Sequence, residues 1–308
     1  MTAAEPHDQP HGHRGHEHGH GSVHLGEEEW AAYALDTELR GEVFIGFLTD
    51  TIKRVDEWRG AAAPVMQRIF DVGSGPGVAA CALAGAYPEA TVAAIDSSPA
   101  MLARATARAA RLGFAERVDT HLAELPGGLD DLGKADLIWA SMSLHHIGDE
   151  VGALRVLRDL LSPSGLIVIA EVADPTRVLP DEFDIARPGL ADRLDAVGAA
   201  WFADMRSGLS DSVESGDLSS MLVAAGFEVL DERIVRLRVD SPLSDDARRV
   251  ASGELRRMRA QFGERLDADD RHALDILCDP NDESGAVHCG DLFLSASCQI
   301  VIARPARS

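Results

Sequence analysis

Three glycines break a run of strand-forming residues, Ile69-Phe70-Asp71-Val72-Gly73-Ser74-Gly75-Pro76-Gly77, and a second apolar run closes on an acid at Asp96. A glycine-rich strand-to-helix turn lets the backbone approach a ligand closely, because glycine has no Cβ and accepts positive φ. A carboxylate ending the next strand accepts two hydrogen bonds from a vicinal diol such as that of a ribose. The pattern therefore points to a nucleoside-bearing cofactor. The dinucleotide fingerprint G-x-G-x-x-G needs a third glycine for close helix packing and backbone N–H groups for pyrophosphate. Here the third glycine comes one position early, at Gly77, Val78 takes its place, and Pro76 removes an N–H. Asp71, just before the loop, would repel a phosphate and suit an ammonium.

Other residues capable of chemistry lie further on. His145 and His146 follow an apolar run over 135–140, and imidazole is the natural proton acceptor near neutral pH. They are the candidate catalytic residues, with a structural or cofactor-shaping role as the competing expectation. Trp30 and Tyr33, with Trp201, Phe202 and Met205, have the spacing of helix core positions but are placed to roof an apolar substrate. His288 and Cys289, with Cys278 and Cys298, lack a close ligand pair, so no metal site is expected. Seven histidines between His7 and His24, interleaved with Gly, Pro and acids, read as a disordered tail over 1–24 that binds a metal adventitiously at most.

The elements that must position these residues follow from periodicity. Residues 25–64 form an N-terminal helical lid, with apolar positions from Trp30 to Val55 at three- and four-residue spacings. Strands at 67–73, 91–96, 117–122, 135–140 and 165–172 alternate with helices at 76–86, 98–112 and 150–161. Such strand-helix repetition with uninterrupted apolar strands predicts a parallel sheet covered on both faces. Right-handed crossovers then set every strand C-terminus, and the ligand crevice, along one edge. A helix at 216–225 and strands from Phe227 to Val239 and from Phe293 to Ala303 complete the pattern with an antiparallel edge. The fold class is α/β: a doubly wound, mostly parallel, seven-stranded Rossmann-like sheet over 65–308. Helical insertions fall at about 174–216, acidic and carrying Trp201, and at 243–277.

With 45% hydrophobic residues the chain supports a sizeable core. A net charge of −22 repels phosphate backbones and anionic membranes, so neither nucleic acid nor membrane is an expected partner. Four widely spaced cysteines without a signal peptide suit a reducing cytoplasm.

On these motifs the chain resembles the class I S-adenosylmethionine-dependent methyltransferases, of the small-molecule type similar to ubiquinone and menaquinone pathway enzymes. The resemblance covers residues 65–172 and, more loosely, the final strands. It implies that Asp71, Gly73, Ser74, Gly75 and Gly77 pack around the methionine part of S-adenosylmethionine. Asp96 would hold both ribose hydroxyls, and Ser97 and Met101 would flank the adenine. Ala140 would lie at the strand exit beside the methyl group, and Leu144-His145-His146-Ile147 would start the next helix. One departure stands out: the family often has Asp-Ala after the third strand, whereas this chain has Leu122-Ala123-Glu124. Either the backbone of Leu122 and Ala123 meets the adenine, or Glu124 reaches in. The implied activity is methyl transfer to O, N or C of a small metabolite. An NAD(P)-type oxidoreductase on the same architecture and a non-catalytic cofactor- or metal-binding protein are the rival expectations.

Overall fold

The computed structural model describes residues 27–181, 186–208 and 217–307, with side chains from Tyr33 onward. The histidine tail and the Trp30 side chain lie outside them. Two helices open the chain, α1 (Glu27–Val43) and α2 (Ile45–Arg59). The alternating region is β1 (Arg68–Val72), α3 (Val78–Ala86), β2 (Thr91–Asp96), α4 (Pro99–Leu112), β3 (Val118–Leu122), β4 (Ala135–Ser141), α5 (Glu150–Leu160) and β5 (Leu161–Arg177). Then come α6 (Leu190–Ser207), α7 (Leu218–Ala224), β6 (Phe227–Val239), α8 (Asp245–Phe262), α9 (Ala268–Cys278) and β7 (Leu294–Pro305).

The strands form one seven-stranded sheet in the order β3-β2-β1-β4-β5-β7-β6. The first five are mutually parallel, and β7 runs antiparallel between β5 and the edge strand β6. Consecutive residues of one strand serve opposite faces: Ile69, Leu137 and Val168 pack with Leu83 beneath α2 and α3, while Phe70, Ile138 and Ile169 pack with Leu154, Leu157 and Leu222 of α5 and α7. Both faces are apolar because both are covered. Each fully buried leucine or isoleucine there contributes about 1.5–3 kcal/mol of transfer free energy.

A third apolar cluster joins Phe44, Leu190, Leu194, Val250, Leu255, Phe262 and Leu274 to Leu294 and Ala296 at the start of β7. Since β7 is antiparallel, its start lies level with the C-terminal ends of the parallel strands. Helices α6, α8 and α9 therefore form a layer at the edge where the crevice opens.

Several boundaries depart from the sequence reading for local reasons. Helix α3 begins at Val78 rather than at 76, because Gly75 and Gly77 take φ of +51° and +79° and cannot continue a right-handed helix backwards. The periodic segment at the N-terminus is two helices, with Phe44 at non-helical ψ between them. Residues Leu144–His146 form a separate short 3-10 turn, not the start of the next helix; α5 starts at Glu150, capped by the Asp149 carboxylate accepting from the Gly152 N–H at 2.8 Å. Strand β5 continues to Arg177, past the predicted end at 172, because β7 supplies a partner through two register shifts. Among the described residues no helix is long and apolar enough to cross a membrane.

Candidate functional site

The strand register sets the site. Val72 lies beside Ile95 and Ala140, Asp96 beside Leu122, and Ser141 beside Ala170, so four strand ends converge on the turn after β1. The turn is pinned from below: Gly73 and Ser74 both donate their N–H groups to the Ile95 carbonyl, at 2.8 and 2.9 Å. The three glycines are there for different reasons. A Cβ on Gly73 would fall 2.3 Å from Ser143 Cβ, and one on Gly77 would fall 2.7 Å from Ala105 Cβ, so these two admit the loop after β4 and helix α4. A Cβ on Gly75 would meet nothing within 4 Å. Gly75 faces open space, where a ligand would lie against bare backbone.

Asp96 has each carboxylate oxygen anchored by one amide, Oδ2 by the Gly75 N–H and Oδ1 by the Ser98 N–H, both at 2.8 Å. Ser98 in turn caps α4, accepting from the Met101 N–H, with Pro99 in the first turn. A carboxylate so fixed keeps lone pairs for two hydroxyl donors. Asp71 is 1% exposed, and its Oδ2 has no hydrogen-bond partner; the buried Ser74 hydroxyl beside it has none either. Burial pushes the Asp71 carboxyl up to about 7, the nearby Asp96 charge adds to this, and the Ala80 backbone N–H opposes it. An unpaired buried acid next to bare backbone fits an ammonium-bearing ligand and fits a diphosphate poorly.

The Ala123 N–H donates to the Asp96 carbonyl at 3.1 Å, which holds the end of β3 against the crevice. Leu122 is 59% exposed there, an apolar surface for a flat base, with Met101 buried and Ser97 exposed nearby in sequence. Glu124 is exposed. Ala140 places its side chain in the core and offers a ligand only its backbone. Beyond it Met142 holds φ of +53°, a conformation uncommon for a side-chain-bearing residue, where the chain leaves β4 for the crevice.

His145 stands on that exit. Its Nδ1 lies 2.6 Å from Glu171 Oε2, while Glu171 Oε1 accepts the N–H groups of Ser143 and Leu144 at 3.2 and 2.8 Å. A carboxylate partner requires the proton on Nδ1, which makes Nε2 the acceptor nitrogen. His146 is exposed and packs on the His145 ring at 4.1 Å between centroids, and Phe202 of α6 lies 5.8 Å from it. Arg206 fastens α6 over this loop, donating to the carbonyls of His145 and Ile147 at 2.8 and 2.9 Å and pairing with Glu150 at 2.6 Å. Trp201 packs against the helical core instead. Glu171 and Arg206 were not singled out from sequence. Glu171 carried a signal, a lone charge ending the apolar run Leu166–Ala170, whereas Arg206 carried none.

Elsewhere His121 Nε2 sits 2.7 Å from the Gly128 carbonyl, His288 Nε2 3.0 Å from that of Pro280, and Cys289 donates to the Ser284 and Gly285 carbonyls. No group of three metal-ligating side chains occurs among the described residues.

A doubly wound sheet with this strand order, a glycine elbow after the first strand and an acid closing the second defines a class I methyltransferase architecture. Residues 70–167 match the family model for a methyltransferase domain. The chain is 30% identical over 183 residues to a trans-aconitate 2-methyltransferase of Methylobacterium radiotolerans, covering 56% of this chain and 62% of that protein. It is also 30% identical over 190 residues to a malonyl-[acyl-carrier protein] O-methyltransferase of Laribacter hongkongensis, covering 59% and 57%. The matched part thus spans about six-tenths of these curated relatives. Among solved structures, a methyltransferase candidate from Bacillus halodurans C-125 superposes with a TM-score of 0.51 at 15% identity, over 84% of this chain and 98% of that one, which shows the shared fold. Residues 70–167 thus carry a methyltransferase domain, and the chain is similar to class I S-adenosylmethionine-dependent methyltransferases.

Proposed function

We propose that this chain transfers a methyl group from S-adenosylmethionine to a small-molecule acceptor. The observation that carries the reading is the pair of acids around Gly75: Asp71 buried with an unpaired oxygen, and Asp96 tethered by the amides of Gly75 and Ser98. Asp71 would take the ammonium of the cofactor, the bare backbone at Gly75 its methionine chain, and Asp96 its ribose hydroxyls. Leu122, Met101, Ser97 and the Ala123 backbone would hold the adenine. The cofactor brings a methyl group already activated by its sulfonium, so the chain's part is to align the acceptor and exclude water.

His145, fixed by Glu171, is placed to accept a proton from an acceptor hydroxyl or amine through Nε2, and His146 and Phe202 shape the approach to it. The helical layer of α1, α6 and α8 serves as the lid, consistent with a division into an N-terminal segment over 25–64 and a cofactor-binding body with insertions. The relative named malonyl-[acyl-carrier protein] O-methyltransferase favours oxygen as the accepting atom. Four free cysteines suit a cytoplasmic setting. Calorimetry against S-adenosylmethionine and its demethylated product tests the donor site, with micromolar binding expected. Transfer of labelled methyl across a panel of acids, phenols and amines tests the reaction. Absence of cofactor binding overturns the reading.

A further inference from the structure

A second charged feature, opposite in sign to the protein as a whole, lies where α1, α8 and the end of β5 meet. Arg40 of α1 and Arg257 of α8 both contact the same carboxylate, that of Glu254, whose side chain is 4% exposed. Arg40 also donates to the Thr176 hydroxyl near the end of β5 at 2.8 Å, and Arg257 to Gln261 at 3.3 Å. Two guanidiniums thus share one acid. The Arg257 Nε is buried and has no hydrogen-bond partner.

The setting differs from that of the other arginines whose acidity is displaced. Arg54, Arg177, Arg187, Arg193, Arg259 and Arg304 all have their pKa raised by hydrogen bonds to carboxylates. Arg40 and Arg257 are lowered, Arg40 to about 9, by burial first; Arg257 adds to the effect on Arg40. Both nevertheless keep solvent access, with 28% and 39% of their side-chain surface reachable. Two partly exposed guanidiniums therefore rest on a single buried carboxylate, one negative charge for two positive ones. Thr176, which accepts from Arg40, lies on β5 five residues beyond Glu171, the partner of His145.

We propose that Arg40 and Arg257 form a receptor for a carboxylate of the methyl acceptor, so that the acceptor is a small organic acid. The inference rests on the methyltransferase reading and adds its substrate class. Planar guanidiniums match a carboxylate bidentately, and a second carboxylate beside Glu254 would complete the charge balance of two cations. The acid is anchored at the α1–α8 side, which leaves its remaining functional groups to reach the methyl group near His145.

The test uses the full chain saturated with S-adenosylhomocysteine, titrated by calorimetry with succinate, with tricarballylate and with neutral succinamide. Wild type should bind an acid and not the amide. Arg257→Gln should weaken acid binding by at least about tenfold, Arg257→Lys by less, with affinity for S-adenosylhomocysteine unchanged in both. Acid and amide binding alike, an unaffected Arg257→Gln, or a wild-type chain that takes S-adenosylhomocysteine but neither acid would overturn the carboxylate receptor and leave the methyltransferase reading standing. Failure to bind S-adenosylhomocysteine would overturn the reading beneath it. Should Arg257→Gln not fold, the acid-against-amide comparison in wild type and the Arg257→Lys variant decide the matter.

Discussion

Cofactor affinity should depend on pH through Asp71. With its carboxyl at about 7 in the empty site, Asp71 is charged in about a tenth of molecules at pH 6 and in about nine-tenths at pH 8. An ammonium beside the unpaired Oδ2 favours the charged form, so binding should expel a proton, about half a proton per site at pH 7. If only the charged form binds, affinity for S-adenosylhomocysteine rises by roughly tenfold between pH 6 and 8, about 1.4 kcal/mol. Above about pH 8 the α-amino group of the ligand loses its own proton and affinity falls again. The profile is therefore a bell whose ascending limb belongs to the protein and whose descending limb belongs to the ligand. Calorimetry in buffers of different ionisation enthalpy measures both affinity and proton release. Asp71→Asn, nearly isosteric, should abolish the ascending limb and the proton release while keeping the descending limb. A limb that survives in Asp71→Asn, or a wild-type affinity that stays flat between pH 6 and 7.5, would refute the placement of the ammonium. The same raised pKa means that the empty protein holds more protons than the unfolded chain between the ordinary value of 3.8 and about 7. Its contribution to stability is complete below that range and is lost as pH rises through it.

Asp96→Ala should weaken cofactor binding by about 1.5–3 kcal/mol, read by calorimetry, and should also lower thermal stability because the amides of Gly75 and Ser98 lose their acceptor. Gly73→Ala and Gly77→Ala should destabilise the fold by at least about 1–3 kcal/mol in denaturant titrations, since each Cβ meets a neighbour. Gly75→Ala meets none and should cost only the roughly 1–2 kcal/mol of a left-handed alanine, yet lose cofactor affinity; equal stability losses at all three positions would contradict the distinction drawn between them. Glu171→Gln should lower turnover by at least about tenfold and shift its pH profile, with donor affinity held within twofold, whereas unchanged turnover in both Glu171→Gln and His145→Ala would remove His145 from proton transfer.

What the sequence revealed and what it hid divide along a physical line. The sheet was legible because its central strands are largely apolar runs buried on both faces, in contrast to the more exposed β3 and β6, and because Gly73, Ser74 and Gly75 can only be read as a turn. The acids at Asp71 and Asp96 stood out as charges at the ends of such runs. Glu171 likewise closes the apolar run of β5, but its meaning depends on His145, twenty-six residues away, and on two backbone amides that only the folded loop presents to it. The arginine pair was hidden more deeply. Arg257 meets Glu254 within α8, three residues away, where such a pair ordinarily belongs to a solvated face, and only the packing of α1 on α8 brings Arg40 to the same carboxylate. Local pattern records what one element buries, and a site assembled between distant elements leaves no trace in it.

The residue next to Arg40 carries a kinetic consequence. Gly41 lies against Val78, the first residue of α3, so tightly that even a methyl group there would stand 3.0 Å from the valine side chain. Adjacent residues of one helix therefore touch the start of α3 beside the glycine elbow and the proposed carboxylate receptor at Glu254. A donor that settles the elbow also sets the height of Arg40, so catalysis should proceed in compulsory order, donor first on and spent donor last off. Inhibition by S-adenosylhomocysteine should accordingly be competitive with the donor and noncompetitive with the acceptor.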